Sequence, residues 1–156
     1  MPVAASVQEF LRRADVAYSV LPHSLAYSAQ DEAAATHTAG RRWAKTVVCF
    51  ADDEPIQAVL PADRKIGLIR LAMLAGAGTL RLAREEELAW LYPDCERGAM
   101  PPFGPLYGQR VFVDQMLAVQ PRIAFEGGTH GDAIVMRYAD FAAITRPIVG
   151  RFSIPM

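Results

Sequence analysis

Lysine is nearly missing from this chain: Lys45 and Lys65 stand against fourteen arginines. Where a lysine does appear is therefore informative. Cysteine is scarce too. Cys49 and Cys95 cannot build a disulfide framework and show no metal-type spacing. The first residues carry acid and base and no apolar signal core, so reduced thiols and a cytoplasmic location are expected. Long apolar runs are also lacking: residues 66–77, the most apolar stretch, are broken by Gly67 and Arg70 and are too short to span a bilayer. No membrane partner is expected.

The net charge of −1 argues against a broad nucleic-acid surface, because phosphate affinity comes from clustered cations and released counterions. It leaves room for a small basic patch, for which Arg41, Arg42, Arg64 and Lys65 are candidates. A G-x-S-x-G elbow is missing, which argues against a hydrolase of that type. His23, His37 and His130 have no metal-ligand spacing, so neither a metal nor another cofactor is expected.

What is there suits a globular domain. A hydrophobic share of 52% and a charged share of 21% over 156 residues can build one core, and no repeat or linker divides it. Residues 1–156 are expected to form one domain. The periodicity predicts a helix over 3–14, with Val7, Phe10, Leu11 and Ala14 on one face, and a short strand over 17–21. Ser28 caps a predicted helix that closes at Gly40. Apolar, β-branched runs at 43–51 and 56–60 predict a hairpin with a loop of about four residues, Asp52 to Pro55. Asp63 should cap a helix over 64–75. A strand at 79–82 and a helix at 85–91 follow, then strands at 110–114, 122–125 and 133–137, and a last helix from Tyr138 or Asp140 to Pro147. This mixture predicts an α/β (α+β) fold with a mixed, largely antiparallel sheet flanked by helices.

Three segments could carry chemistry. Alternation places Lys45 with Trp43, Val47 and Cys49 on one face of a strand that is apolar on both faces. A cation there loses hydration and needs compensation, unless its stem carries it out to water. The functional alternative is a cation in a cleft, holding a phosphate, a carboxylate or a polarised carbonyl. The second segment is residues 98–104, inside a 17-residue stretch (92–108) with four prolines and three glycines. Gly98 allows close backbone approach, and Pro101 and Pro102 fix the directions of neighbouring amides, so the loop can present donors to an oxyanion. Phe103 and Tyr107 are its expected anchors. The third is the turn 127–131, with Thr129 and His130 at its tip. Cys95, His130 and Asp132 could also mimic a thiol triad, although spacing does not address it.

Taken together, Ala44-Lys45-Thr46-Val47-Val48, then Gly98 to Gly104, then Phe125 to Gly131 with Asp140-Phe141 after it, resemble the YbaK/ProX family of aminoacyl-tRNA editing domains, which also occur within prolyl-tRNA synthetases. The likeness runs from about residue 18 to residue 144. It implies a compact domain with a curved sheet and a freestanding trans-editing deacylase, a carboxylic ester hydrolase acting on mischarged tRNA. The family's essential lysine falls on Lys45 and its glycine-x-x-x-proline loop on Gly98 to Pro102. The pocket-shaping segment falls on Gly128, Thr129 and His130. Thr46 follows the lysine, where the alanine-directed branch usually has Asn and the cysteine-directed branch more often Thr; one residue assigns neither. The implied partners are the acceptor end of aminoacylated tRNA and prolyl-tRNA synthetase. The implied mechanism needs no protein nucleophile: Lys45 and the Gly98 amides act while a ribose hydroxyl helps to activate water. A non-catalytic tRNA- or synthetase-binding module is the first alternative, and a small-ester or thioester hydrolase using Cys95 or His130 the second.

Overall fold

Helix α1 (Ala5–Ala14) opens the computed structural model, which describes residues 3–23, 26 and 28–156. Val7 and Leu11 lie one turn apart and are both buried, as the helical spacing requires. Strand β1 (Ser19–Pro22) and helix α2 (Ala29–Ala35) follow. Ser28 caps α2, accepting the Asp31 amide at 3.1 Å. The helix stops well before Gly40: His37 takes the left-handed conformation at φ 55°, and the Thr38 amide donates back to the Ala33 carbonyl at 2.9 Å. Gly40 instead starts a 3-10 turn, Gly40–Arg42.

Strands β2 (Ala44–Ala51) and β3 (Glu54–Pro61) form the expected hairpin, closed by two residues rather than four. Asp52 takes the left-handed conformation at φ 54° and its carboxylate accepts the Thr79 amide at 2.9 Å, which fixes the tight turn. Pro55 can stand inside β3 because the ladder to the next strand begins only at Ile56.

The predicted helix over 64–75 is corrected. Residues 64–66 are strand β4 (Arg64–Ile66), and the helix α3 (Leu68–Ala75) starts after Gly67. The reason lies far along the chain, where β10 (Ser153–Pro155) supplies a ladder partner and the Phe152 carbonyl accepts the Gly67 amide at 2.7 Å. Strand β5 (Leu80–Leu82), helix α4 (Glu85–Leu91), strand β6 (Arg110–Asp114), strand β7 (Arg122–Glu126), strand β8 (Asp132–Arg137) and helix α6 (Tyr138–Thr145) fall close to expectation. The short helix α5 (Gln115–Ala118) and strand β9 (Ile148–Gly150) had no clear signal in sequence.

The strands form a five-stranded sheet in the order β5-β2-β3-β6-β9, a three-stranded sheet β1-β8-β7 and the pair β10-β4. Most pairs are antiparallel; β3-β6 and β6-β9 are parallel. Alternation divides the large sheet between two cores. Ala44, Val59, Val111 and Val113 join α1, Phe103, Phe125 and Phe141 on one face. Cys49, Ile56, Leu60 and Phe112 join Leu71 and Phe152 on the other. Each such side chain buried from water is worth about 1.5–3 kcal/mol. A single parallel bridge, Trp43 to Ala124, ties the start of β2 to the three-stranded sheet.

Candidate active site

Strand β2 pairs with β3 along its whole length, but with β5 only at residues 49–51. Its other end bridges to β7 at Trp43. Between these anchor points the strand has a sheet neighbour on one side only, and Lys45, Thr46 and Val47 line a cavity of about 170 Å³. Gly98 and Met100 line it from the proline-rich loop, Glu32 from α2 and Glu126 from the end of β7. The strand and the proline-rich segment thus share one pocket.

Lys45 is half-buried, and among the described residues no carboxylate lies within ion-pair distance of it. Lost hydration pushes its pKa below the ordinary lysine value, against the upward pull of the Asp63 charge. The Thr46 hydroxyl is buried and has no hydrogen-bond partner among the described residues.

The loop is held in place from behind. Phe103 is fully buried, with Phe10 and Phe125 rings at 5.1 and 5.2 Å. Gln57 on β3 donates to the Pro101 carbonyl at 3.1 Å. Tyr107 closes its far end against Tyr92 at 4.6 Å between ring centres. Gly98 has φ +82°, and a side chain there would meet the His130 imidazole at 3.6 Å. The Ala99 amide is taken by the Glu96 carbonyl at 3.1 Å. Gly98 and Met100 both line the cavity, and their amides have no acceptor among the described residues.

The turn 127–131 is stitched to this loop. The Gly128 amide donates to the Ala99 carbonyl at 2.9 Å, and the Glu96 amide donates to the Gly128 carbonyl at 2.8 Å. Gly128 sits at φ +94°, and a Cβ would lie 2.7 Å from that of Ala4. Gly128 and Thr129 line a different, open hollow beside α1 with Cys95 and Glu96. Pro102 is buried and does not line the Lys45 cavity. The structure therefore brings Lys45, Thr46 and Gly98 together, with His130 behind the wall and Gly128, Thr129 and Pro102 as framework around it.

His130 is 3% exposed. Its Nε2 lies 2.6 Å from the Arg97 carbonyl, an acceptor only, so this nitrogen carries a proton. Its Nδ1 faces Glu32 Oε1 at 3.3 Å and Glu126 Oε2 at 3.6 Å, while His23 Nε2 reaches Glu126 Oε1 at 3.0 Å. Burial raises Glu32 to about 7, against the pull of His130. Burial, then the charges of Glu32, Glu96 and Asp132, raises Glu126 to about 9. Among the described residues Glu32, Glu126 and His130 are also the one set of metal-type ligands whose donor atoms lie within 4.8 Å of one another.

These two acids were missed in sequence. The signal for Glu32 is its place in the stripe Ala29, Glu32, Ala33, Thr36, one face of α2 whose last three members are buried. Glu126 closes the run of four buried residues in β7. The thiol triad finds no support: Cys95 bonds to Tyr107 and Asp94, and burial pushes its thiol up to about 12.

A half-buried cation, the Gly98 and Met100 backbone and two buried carboxyls around a small cavity define a polar ligand site on an α+β scaffold. The family model of the aminoacyl-tRNA editing domain matches residues 23–144. Proline–tRNA ligases from two strains of Nitratidesulfovibrio vulgaris, DP4 and Hildenborough, are each 31% identical over 146 residues, covering 86% of this chain and 25% of theirs. The chain thus spans about a quarter of the length of the curated relatives it matches. Among solved structures, hypothetical protein APE2540 superposes with a TM-score of 0.86 at 20% identity, covering 96% of this chain and 99% of that one. A candidate trans-editing enzyme for prolyl tRNA synthetase superposes at 0.83 and 22%, covering 99% and 98%. At such identities these two show the fold. This chain belongs to the aminoacyl-tRNA editing domain family, which supports a role in aminoacyl-tRNA editing.

Proposed function

We propose that the chain is an aminoacyl-tRNA deacylase that hydrolyses prolyl tRNA carrying a wrong, small amino acid. The observation that carries this reading is the shared cavity: Lys45, Thr46 and Gly98 enclose about 170 Å³ with Glu32 and Glu126. That volume lies below the range of drug-sized ligand pockets and suits a small acyl group. Lys45 holds the terminal phosphate or the ester carbonyl. Water adds to the carbonyl carbon, and its proton is relayed through the neighbouring ribose hydroxyl to the ester oxygen that leaves. The Gly98 and Met100 amides receive the oxyanion, a contribution of about 3 kcal/mol per good donor. The carbon–oxygen bond then breaks, releasing the amino acid and the tRNA hydroxyl. Glu32, when ionised, faces the substrate's α-ammonium group.

The test is a deacylation panel of prolyl tRNAs charged with alanine, cysteine, serine and proline. Wild-type protein should clear at least one small wrong amino acid. Lys45→Ala should lower that rate by about 100-fold or more. Tight binding with no turnover of any member would replace the enzyme with a binding module. Full activity in Lys45→Ala would remove the proposed mechanism.

A further inference from the structure

Seven of the fourteen arginines form ion pairs: Arg12, Arg13, Arg81, Arg84, Arg97, Arg110 and Arg137. Three of the others, Arg64 on β4, Arg70 on α3 and Arg151 between β9 and β10, converge on one groove of about 300 Å³. Among the described residues no carboxylate lies within ion-pair distance of any of the three.

Two of these heads are pre-positioned. Arg64 donates from Nε to the Ser153 hydroxyl at 2.7 Å and from one terminal nitrogen to the Ser153 carbonyl at 3.3 Å. Arg151 donates from Nε to Gln115 Oε1 at 2.8 Å. Both residues line the groove, and both holds leave terminal N–H groups with no partner among the described residues, a fork that can meet phosphate oxygens in pairs. The carboxylate lining the groove, Asp114, is buried and occupied. Its oxygens accept the amides of Phe152, Ser153 and Met116 at 2.9, 2.8 and 3.0 Å. The exposed side chains of Met116 and Val119 supply an apolar wall beside the guanidinium groups.

Helix α5, which carries Gln115 and Met116, packs against the turn Gly40–Arg42. That turn exposes Arg41 and Arg42, neither in an ion pair, and leads directly into Trp43 and Lys45. From the other side, Arg64 follows Asp63, the acid whose charge reaches Lys45. Among the described residues, five of the seven arginines outside ion pairs thus lie either on the groove or on the turn that packs against α5 and precedes Lys45 in the chain.

We infer that the Arg64–Arg70–Arg151 groove, with Arg41 and Arg42 on the adjoining turn, is a phosphate-binding track for the RNA backbone. The inference rests on the reading that an RNA 3′ end enters the Lys45 cavity. It explains how a chain of net charge −1 holds a polyanion: three cations share one groove and, among the described residues, have no acidic partner.

Binding of uncharged prolyl tRNA is measured by fluorescence anisotropy across a salt series for wild type, Arg64→Ala/Arg70→Ala/Arg151→Ala and the control Arg122→Ala/Arg146→Ala. Arg70→Ala/Arg151→Ala is included because it keeps the Arg64 hold on Ser153. The triple variant should raise Kd at least about tenfold and reduce the slope of log K against log salt by about 2 to 3. The double groove variant should lose about 1 to 2 of that slope. The control should match wild type. Hydrolysis of an aminoacyl ester on a terminal adenosine fragment should be unchanged in the groove variants, because the track touches only the RNA body. Wild-type affinity and slope in both groove variants would overturn the inference, as would an equal loss in the control. If inorganic phosphate binds the groove arginines while tRNA affinity ignores them, the site serves free phosphate and the inference also fails. Since binding is read on uncharged tRNA, arginine-dependent binding without hydrolysis would refute the deacylase and support the track.

Discussion

Glu126 shows what one buried carboxyl does to a small site. In water it would ionise near 4.5, whereas burial and its acidic neighbours hold the proton to about 9. Glu32 behaves likewise, to about 7. Facing this pair are His130 and His23, with Lys45 across the cavity and Glu96 and Asp132 beyond. Between 4.5 and these raised values the folded chain binds more protons than the unfolded one. The stability they lend is complete below 4.5 and is lost as pH rises through 7 and then 9. Thermal midpoints of wild-type protein should therefore fall from pH 5 to pH 9. Glu126→Gln should flatten the upper part of that fall, and addition of EDTA should leave both midpoint and deacylation unchanged; a wild-type midpoint that rises toward pH 9 would contradict the assignment. Lys45 and Gly98 were legible beforehand because each is chemically conspicuous within its own segment. Glu32 and Glu126 were not, because an acid is made unusual only by what the fold packs around it.

At the scale of elements, the rigid loop from Gly98 to Pro102 depends on one ring. Phe103 fills the core between α1, β7 and α6, and the loop's other ties are Gln57 to Pro101 and the paired bonds with Gly128. Phe103→Ala should cost about 3–5 kcal/mol in urea unfolding, the usual loss for an emptied aromatic site. A loss under 1 kcal/mol would mean that the prolines alone hold the loop. Helices with a clear apolar stripe and strands with clean alternation could be read from sequence, and α4 falls on its expected bounds. The β4 error has a different origin. Residues 64–66 carry no period of their own and become a strand only because residues 153–155 arrive beside them. The same dependence hid α5 and β9, three or four residues each, too short for any period to show.

For the molecule as a whole, charge is arranged rather than accumulated. A net charge of −1 gives little long-range attraction for RNA. Association with tRNA in stopped-flow measurements should thus stay below about 10⁷ M⁻¹s⁻¹ even at low salt, far from the steered limit; a rate near 10⁹ would show a stronger field than this composition supplies. The mixed α+β class was readable from the order of its elements. The division into three sheets was not, since it depends on which distant strands pair, and the bridge from Trp43 to Ala124 that ties two of those sheets together is a single long-range backbone contact. That contact also governs what the cavity can admit. One strand is fastened at both ends to different sheets, so the gap between them has a span set by main-chain pairing and not by the side chains around it. Trimming a wall residue can make room for another carbon or two. Admitting a large aromatic acyl group would require the two sheets to part, and with them the frame that holds the lysine.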